Sequence, residues 1–170
     1  MASVVQRKHL LTERPVVVPV PGIRLRTYEG DQDIRGWLSL RERAFAREKL
    51  GVRQWDVADF HGEFLDRPWW RPEWMWFAEA TQERLDGPIG TVALALRQSA
   101  EGTVPVVHWL CVLPAWRRHG LGRLLMSTLE QAAWDAGYPQ VALETHEAWL
   151  AAAACYDALG YQVIKPRQAT

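Results

Sequence analysis

A basic turn with two glycines is the stretch of this sequence best suited to binding an anion. Residues 117–123 read Arg-Arg-His-Gly-Leu-Gly-Arg, after the apolar run 104–112 and before a stretch with helical periodicity. A glycine turn that opens a helix leaves backbone N–H groups unpaired, and the helix dipole adds partial positive charge at the same place. Together with the arginines and the histidine of the turn, this pattern predicts a site for a phosphate group, most of all a pyrophosphate.

The turn does not match the common nucleotide motifs. The sequence contains neither Gly-x-Gly-x-x-Gly nor Gly-x-x-x-x-Gly-Lys-Ser/Thr here. The alternative is a basic surface turn at an ordinary helix start. The apolar strand pattern before the turn, and the leucines at helical spacing after it (Leu121, Leu124, Leu125 and Leu129), favour the anion site.

The elements that would position the turn alternate between strands and helices. We predict strands at 23–28, 74–80, 90–96, 104–112, 141–146 and 161–164, and helices after Asp31, after Asp56, at 120–136 and at 147–159. This order predicts an α/β (α+β) fold with one mixed sheet and helices on both faces. Residues 1–22 are predicted to be an N-terminal extension, and residues 23–170 a single domain. Because prolines punctuate residues 15–21, that segment is expected to be an extended arm or an edge strand, which could also pair with a second copy in a homodimer.

The composition narrows the classes of partner. Twenty Lys and Arg balance twenty Asp and Glu, so no net charge favours nucleic acid. No apolar run reaches the roughly 20 residues of a membrane span, and the N-terminus has no apolar core typical of a signal peptide. Cys111 and Cys155 both lie in apolar surroundings, which is typical of reduced cysteines. We therefore expect a cytoplasmic protein with no metal, nucleic-acid or membrane partner.

A second motif lies downstream of the turn. It reads Tyr156-Asp157-Ala158-Leu159-Gly160-Tyr161, a tyrosine followed after three residues by a glycine and an aromatic. With the turn before it, this motif resembles the GNAT superfamily of acyl-CoA-dependent N-acetyltransferases over residues 23–165, most specifically over 104–164. The resemblance implies a central, mostly antiparallel sheet of about six to seven strands, splayed where acetyl-CoA binds.

The resemblance also implies which residues contact acetyl-CoA. The strand positions Leu110, Cys111 and Val112 match those whose backbone groups pair with the pantetheine arm. The positions that match the pyrophosphate-binding turn are Arg117, Arg118, His119, Gly120, Leu121, Gly122 and Arg123. One departure is Trp149, which stands seven residues before Tyr156, where the family often has an asparagine that contacts the cofactor.

The same resemblance gives Tyr156 the role of protonating the leaving thiolate, unless it is simply a packed helix tyrosine. An amine is protonated at neutral pH, so a base is needed as well, and His108 and Glu144 are the predicted bases. His108 has the parity of Leu110 and Val112, so alternation puts all three on one face unless a bulge intervenes. His108 as a core histidine, Glu144 as a salt-bridged carboxylate, and proton transfer through ordered water remain alternatives. Further candidates are Glu79 and His146.

The acceptor side is expected within residues 31–72, where the family's first two helices shape the pocket. Carboxylates that could attract an amine are Asp56, Asp59, Glu63 and Asp66, and Trp69 and Trp70 could pack on it. The alternative for these residues is a solvated helix face beside packed aromatics. The predicted function is acetyl transfer to the primary amine of a small molecule. The alternatives are a protein or peptide acetyltransferase and a non-catalytic acyl-CoA-binding module.

Overall fold

A seven-stranded sheet lies at the centre of the chain in a computed structural model, which describes residues 4–46, 53–82 and 87–164. The strands are β1 (Val4–Leu10), β2 (Ile23–Thr27), β3 (Met75–Ala80), β4 (Gly90–Ser99), β5 (Gly102–Val112), β6 (Gln140–His146) and β7 (Gln162–Val163). The helices are α1 (Gln32–Phe45), α2 (Val57–Phe60), α3 (Leu121–Asp135) and α4 (Leu150–Ala158). A turn of π-helix, His61–Leu65, continues α2.

The strand order is β2-β3-β4-β5-β6-β1-β7, and every neighbouring pair is antiparallel except β5 and β6. The parallel pair is joined at a single register position, Val106↔Ala142. The predicted mixed, mostly antiparallel sheet is therefore confirmed. The weak junction between β5 and β6 divides the sheet into two parts.

Alternate residues of the central strands feed two separate cores, because side chains in a strand point to opposite faces in turn. Met75 and Phe77 of β3 pack with Ile34 of α1 and Phe60 of α2. Trp76 of the same strand packs with the leucine face of α3, namely Leu121, Leu125 and Leu129. This arrangement confirms helices on both faces of the sheet.

The N-terminal segment differs from its prediction as an extension. Strand β1 lies inside the sheet, paired with β6 along its whole length and with β7 at Arg7 and Lys8. The apolar alternation that marks a buried strand is weak here, because the most buried position is Arg7, whose guanidinium pairs with Asp157 of α4. Residues 4–10 therefore belong to the same sheet as the strands of residues 23–164.

The proline-containing segment 12–21 is an extended arm, which is one of the two forms expected for it. It runs along α3 of the same chain rather than along a strand edge. The backbone N–H of Val18 donates to Ser127 Oγ at 3.2 Å, Gln131 Nε2 donates to the Pro15 carbonyl at 3.0 Å, and Arg14 forms a two-bond ion pair with Asp135.

Of the two helix starts predicted from Asp31 and Asp56, only one has a side-chain capping hydrogen bond. Asp56 accepts from the Asp59 N–H at 2.9 Å, and the Asp59 side chain accepts from the Asp56 N–H, so α2 begins with a capping box. Asp31 occupies the cap position of α1, but its side chain makes no capping hydrogen bond. Gly51, which we predict to follow α1, lies outside the described residues.

Candidate active site

Strand β5 carries a bulge at the point where it leaves its neighbours. Ala93 of β4 faces His108, but Thr91 faces Cys111, so β5 has one residue more than β4 over this interval. Trp109 has a φ of 54°, in the left-handed region that side chains rarely adopt. The prediction that His108, Leu110 and Val112 lie on one face of β5 depends on side chains alternating between the two faces, and the bulge interrupts this alternation. That expectation is corrected by this local backbone geometry.

A cavity of about 460 Å³ opens between β5 and β6, beyond their single register pair. We call it the main cavity. The register pairs neither Trp109 nor Leu110 with a residue of β4 or β6. In a strand segment without partner strands, the backbone N–H and C=O groups can form hydrogen bonds with a ligand that carries acceptors and donors, as they would with a neighbouring strand. The walls include Val106, His108, Trp109 and Leu110 of β5, Glu144 and Thr145 of β6, and Trp149 and Tyr156.

The glycine turn joins β5 to α3 in the predicted order. Gly120 precedes the first residue of α3 with a φ of 86°, and α3 has no side-chain cap at this end. A Cβ on Gly120 would lie 3.2 Å from Val20 Cγ2 of the N-terminal arm. The side chain of Leu121 is buried in the core, so only its backbone N–H can serve a ligand. The uncapped N–H groups at this end of α3 suit an anion.

The basic side chains of the turn differ in their contacts and in their exposure to solvent. Arg117 is engaged within the protein, since its Nε donates to the Val112 carbonyl at 3.2 Å and its Nη2 to the Ala44 carbonyl at 2.7 Å. Arg118, with a φ of 65°, and His119 are exposed. Arg123 is also exposed and lines a second cavity of about 330 Å³ beside the N-terminal arm.

Tyr156 lies on the wall of the main cavity and is only 9% exposed. Burial raises the pKa of its hydroxyl well above the ordinary value, so the group is a proton donor at neutral pH. Trp149 lines the same cavity and stacks on Phe45 at 5.4 Å between ring centroids, so an aromatic wall stands where the family often has an asparagine.

The two cysteines are free thiols. Burial raises the pKa of Cys111 to about 12 and also raises that of Cys155. Both are therefore protonated at neutral pH and unsuited to act as nucleophiles.

His108 and Glu144 both line the main cavity, with different partners. His108 Nε2 lies 2.7 Å from Glu63 Oε1. Glu144 Oε1 lies 2.5 Å from Arg97 Nη1 and accepts from Gln6 Nε2 at 3.1 Å. Glu144 is thus a salt-bridged carboxylate at the cavity rim, which is one of the alternatives left open for it.

The acceptor side is walled by aromatic rings that already hold a cation. The guanidinium of Arg41 lies 4.0 Å from the ring of Trp55 and 4.6 Å from that of Trp109, and it donates to the Arg53 carbonyl. Trp37 is fully buried beside them. Much of the tryptophan-rich region is therefore core packing, and its strongest cation–π contacts belong to the protein itself.

Trp69 and Trp70 have separate places. Trp69 lines the main cavity with its ring 5.9 Å from that of His108. Trp70 instead packs edge-on against Tyr28, with the ring centroids 5.2 Å apart. Of these two residues, only Trp69 lines the main cavity.

Of the four acidic candidates on this side, the structure brings only Glu63 to the main cavity. Asp56 and Asp59 form the capping box, and an ion pair with Arg53 helps to lower the pKa of Asp59 to about 2. Asp66 is exposed at the end of the π-helical turn and does not line the main cavity.

The two further base candidates also lie elsewhere. Glu79 pairs with Arg24 and Arg26 of β2. His146 Nδ1 accepts from the Ala148 N–H at 3.0 Å, next to the start of α4. Neither side chain lines the main cavity.

Sequence reasoning missed Arg67 and Arg97, which line the cavity, and the contact between Glu63 and His108. Glu63 and His108 are 45 residues apart in the sequence. A short-range motif could not have paired them. The one available signal was an acidic residue on the same helical segment as the apolar Phe60 and Phe64.

None of the described helices is long and apolar enough to cross a membrane. Within residues 4–46, 53–82 and 87–164, no cluster of three or more His, Cys, Asp or Glu side chains is placed to hold a metal ion.

Comparison with known proteins identifies the family. Residues 32–161 match the model of the acetyltransferase (GNAT) family. The chain is 33% identical over 154 residues to a mycothiol acetyltransferase of Thermobispora bispora, an alignment that covers 87% of this chain and 51% of that protein. The chain thus spans about half the length of the curated relatives it matches.

Two solved structures have the same fold. The NatC complex bound to Gag peptide and CoA superposes with a TM-score of 0.68 at 17% identity, covering 84% of this chain and 86% of that one. AAC(6')-Iy in complex with the bisubstrate analogue CoA-S-monomethyl-acetylneamine gives 0.59 at 19% identity, covering 87% and 99%. The first of these structures contains CoA and the second contains a CoA conjugate. The family match over residues 32–161 and the 33% identity over 87% of this chain show that the chain belongs to the acetyltransferase (GNAT) family.

Proposed function

We propose that the chain transfers an acetyl group from acetyl-CoA to the primary amine of a small acceptor, by direct attack in a ternary complex. The observations that carry this proposal are the unpaired segment at Trp109 and Leu110 of β5 and the uncapped start of α3, which follows β5 along the chain. The unpaired segment suits an amide-containing arm, and the helix start suits a pyrophosphate.

In this proposal the backbone at Leu110, Cys111 and Val112 pairs with the pantetheine arm. The N–H groups from Gly120 to Arg123 hold the pyrophosphate, with Arg118 and His119 adding positive potential from the exposed side. Arg117 acts indirectly, since it ties the turn to the end of β5 and to α1. A backbone N–H near the bulge polarises the thioester carbonyl, in the manner of an oxyanion site.

The chemistry needs one proton acceptor and one proton donor. His108 takes the proton from the attacking amine, because it lines the main cavity and an imidazole can accept a proton near neutral pH. The amine nitrogen bonds to the acetyl carbon, and the C–S bond breaks. Tyr156 then gives its proton to the thiolate. Glu144 has the less favourable position for the base, because its carboxylate is paired with Arg97.

A small acceptor is favoured by the size of the cavity. About 460 Å³ must hold the acetyl end of the donor and the acceptor together, with the ring of Trp69 on one wall. A peptide acceptor remains the second candidate, since the NatC structure with the same fold binds a peptide. The mycothiol acetyltransferase relatives and the acetylneamine conjugate in the AAC(6')-Iy structure support a small-molecule amine as the first probe.

The test begins with the binding of CoA and acetyl-CoA, measured by calorimetry. Release of CoA is then followed by mass spectrometry with glucosamine, an amino acid amide, spermidine and a tetrapeptide as acceptors. Turnover with a small amine but not with the tetrapeptide supports the proposal, and the reverse pattern supports peptide acetylation. Binding without any turnover indicates a non-catalytic acyl-CoA-binding module. A chain that binds neither CoA nor acetyl-CoA refutes all three.

A further inference from the structure

We propose that Glu63 is a positioning residue. It holds the imidazole of His108 so that Nε2 carries the proton and the unprotonated Nδ1 can accept one. The catalytic consequence rests on the proposed function, whereas the positioning itself does not. The contact joins the π-helical turn after α2 to the bulged strand β5, two elements that no short motif connects.

The geometry leaves Glu63 with two donors on one oxygen. His108 Nε2 lies 2.7 Å from Glu63 Oε1, and Trp109 Nε1 donates to the same oxygen at 3.4 Å. Since an indole N–H can only donate, Trp109 fixes this oxygen as an acceptor. Neutral His108 must then donate from Nε2, which leaves Nδ1 with its lone pair.

The surrounding rings restrict how His108 can turn. Its ring lies 5.3 Å from that of Phe64 and 5.9 Å from that of Trp69, both close to edge-on. Phe64 is fully buried, so it is a fixed neighbour. The histidine is thus held by packing on its faces and by Glu63 at one nitrogen, which is the support that a base needs for a defined direction.

The charge of Glu63 is consistent with this contact. The hydrogen bond from His108 is the largest of the effects that lower the pKa of Glu63, so the carboxylate is ionised at neutral pH. Other charged or titratable groups face the same region. Arg67 follows the π-helical turn, Arg97 and Glu144 pair across β4 and β6, Tyr156 comes from α4, and Arg41 lies behind Trp109.

The acid–base step is balanced by groups already on the cavity wall. The acceptor enters this step as the neutral amine, after its ammonium form has released one proton to solvent. A second proton of the amine nitrogen moves to His108 Nδ1 as the new N–C bond forms, and the imidazolium is stabilised by the carboxylate of Glu63. The electron pair of the breaking C–S bond goes to sulfur, which takes the proton of Tyr156. Proton exchange with solvent then restores both groups. Glu63 touches no reacting atom in this scheme.

The first experiment reads the tautomer and needs no acceptor. In the chain labelled with ¹⁵N-histidine, long-range ¹H–¹⁵N spectra distinguish the Nε2–H from the Nδ1–H form, and the His108→Gln variant assigns the signal among the five histidines. We expect the Nε2–H form in the wild type at pH 8 and a mixture in Glu63→Ala. An Nδ1–H form in the wild type, or an unchanged tautomer in Glu63→Ala, overturns the proposal.

The second experiment reads catalysis, with whichever amine of the acceptor panel releases CoA fastest. Glu63→Ala is expected to lower kcat about ten- to a hundredfold while leaving the KM for acetyl-CoA unchanged. Glu63→Gln keeps the acceptor oxygen, which Trp109 orients, but removes the charge. It should therefore retain most of kcat and the Nε2–H form of His108.

Controls separate this role from a general loss of structure. Glu42→Ala removes an exposed carboxylate of α1 and should leave kcat unaltered. If Glu63→Ala does not fold, as judged by CoA affinity, the tautomer of His108 in Glu63→Gln decides the question, and an Nδ1–H form there counts against the proposal. A wild-type chain without turnover refutes the proposed function and the catalytic consequence of Glu63. The tautomer spectra would then still decide whether Glu63 positions His108.

Discussion

The two sides of the proposed active site are built from different parts of the chain. On the cofactor side, β5, the glycine turn and α3 follow one another without interruption, and the groups offered to a ligand are mostly backbone N–H and C=O. On the acceptor side, α1, α2 and the loop before β3 bring together side chains that are far apart in the sequence, and the contacts are made by rings and charges.

This difference predicts how each side tolerates substitution. A backbone site depends on conformation, so it should be sensitive at glycines and tolerant at most side chains. A side-chain site depends on packing and on paired charges, so it should be sensitive at its aromatic and titratable residues. The four predictions below test that contrast, from the largest expected effect to the smallest.

Trp37→Ala should have the largest effect, on stability. Trp37 is fully buried on the acceptor side, with the rings of Phe60 and Phe64 at 5.3 and 5.0 Å. Its removal leaves a cavity that should cost about 3–5 kcal/mol of unfolding free energy, measured by urea denaturation. Trp134→Ala, at a half-buried site on α3, is the matched control and should cost clearly less. Equal losses would mean that the acceptor side is not the more side-chain-dependent one.

Tyr156→Phe tests the proposed proton donor, which α4 adds beside the cofactor side. The variant keeps the ring but removes the proton donor, so kcat should fall about a hundredfold while the affinity for CoA stays the same. Tyr138→Phe removes a hydroxyl after the end of α3, away from the main cavity, and should retain kcat. Full activity in Tyr156→Phe would assign thiolate protonation to another group.

Gly120→Ala compares two glycines at opposite ends of α3. Gly120 and Gly137 have φ angles of 86° and 90°, so an alanine at either should cost about 1–2 kcal/mol of stability. Only Gly120 lies in the proposed pyrophosphate site, and its Cβ would press on Val20. Calorimetry should show CoA affinity lowered about tenfold in Gly120→Ala and unchanged in Gly137→Ala. Equal affinities would remove the turn from the binding site.

The smallest effects concern one carboxylate on each side, with opposite signs. The contact with His108 lowers the pKa of Glu63 from 4.5, so its stabilisation is present above pH 4.5 and is lost as the pH falls through the lowered pKa. Burial raises the pKa of Glu130 from 4.5, so its stabilisation is full below pH 4.5 and is lost as the pH rises through the raised pKa.

The corresponding glutamine variants should therefore move stability at pH 7 in opposite directions, by no more than about 1 kcal/mol each. Glu63→Gln should be less stable than the wild type. Glu130→Gln should be more stable, since an amide oxygen can still accept from the Tyr161 hydroxyl, which donates at 2.9 Å. Both differences should shrink in urea titrations at pH 4. Shifts of the same sign at pH 7 would contradict the assigned environments.

The parts that could be predicted share one property, which is that their signals are local. The turn at Gly120, the leucine face of α3 and the cap at Asp56 each lie within a few residues, and each is found where it was expected. The segment Val4–Leu10 was missed because its buried position is Arg7, whose partner Asp157 is 150 residues away. A local sequence pattern cannot show that a buried charge will pair with an opposite charge far along the chain.

The sequence by itself determined the family, the order of most elements and the position of the glycine turn, because these depend on periodicity and on backbone conformation. Only the tertiary structure decided which titratable groups meet. In the folded chain, His108 contacts Glu63 and Glu144 pairs with Arg97. The guanidinium of Arg41 contacts the rings of Trp55 and Trp109. The physical reason is that charge pairing acts through space over a few ångströms, whereas the sequence records only distance along the chain.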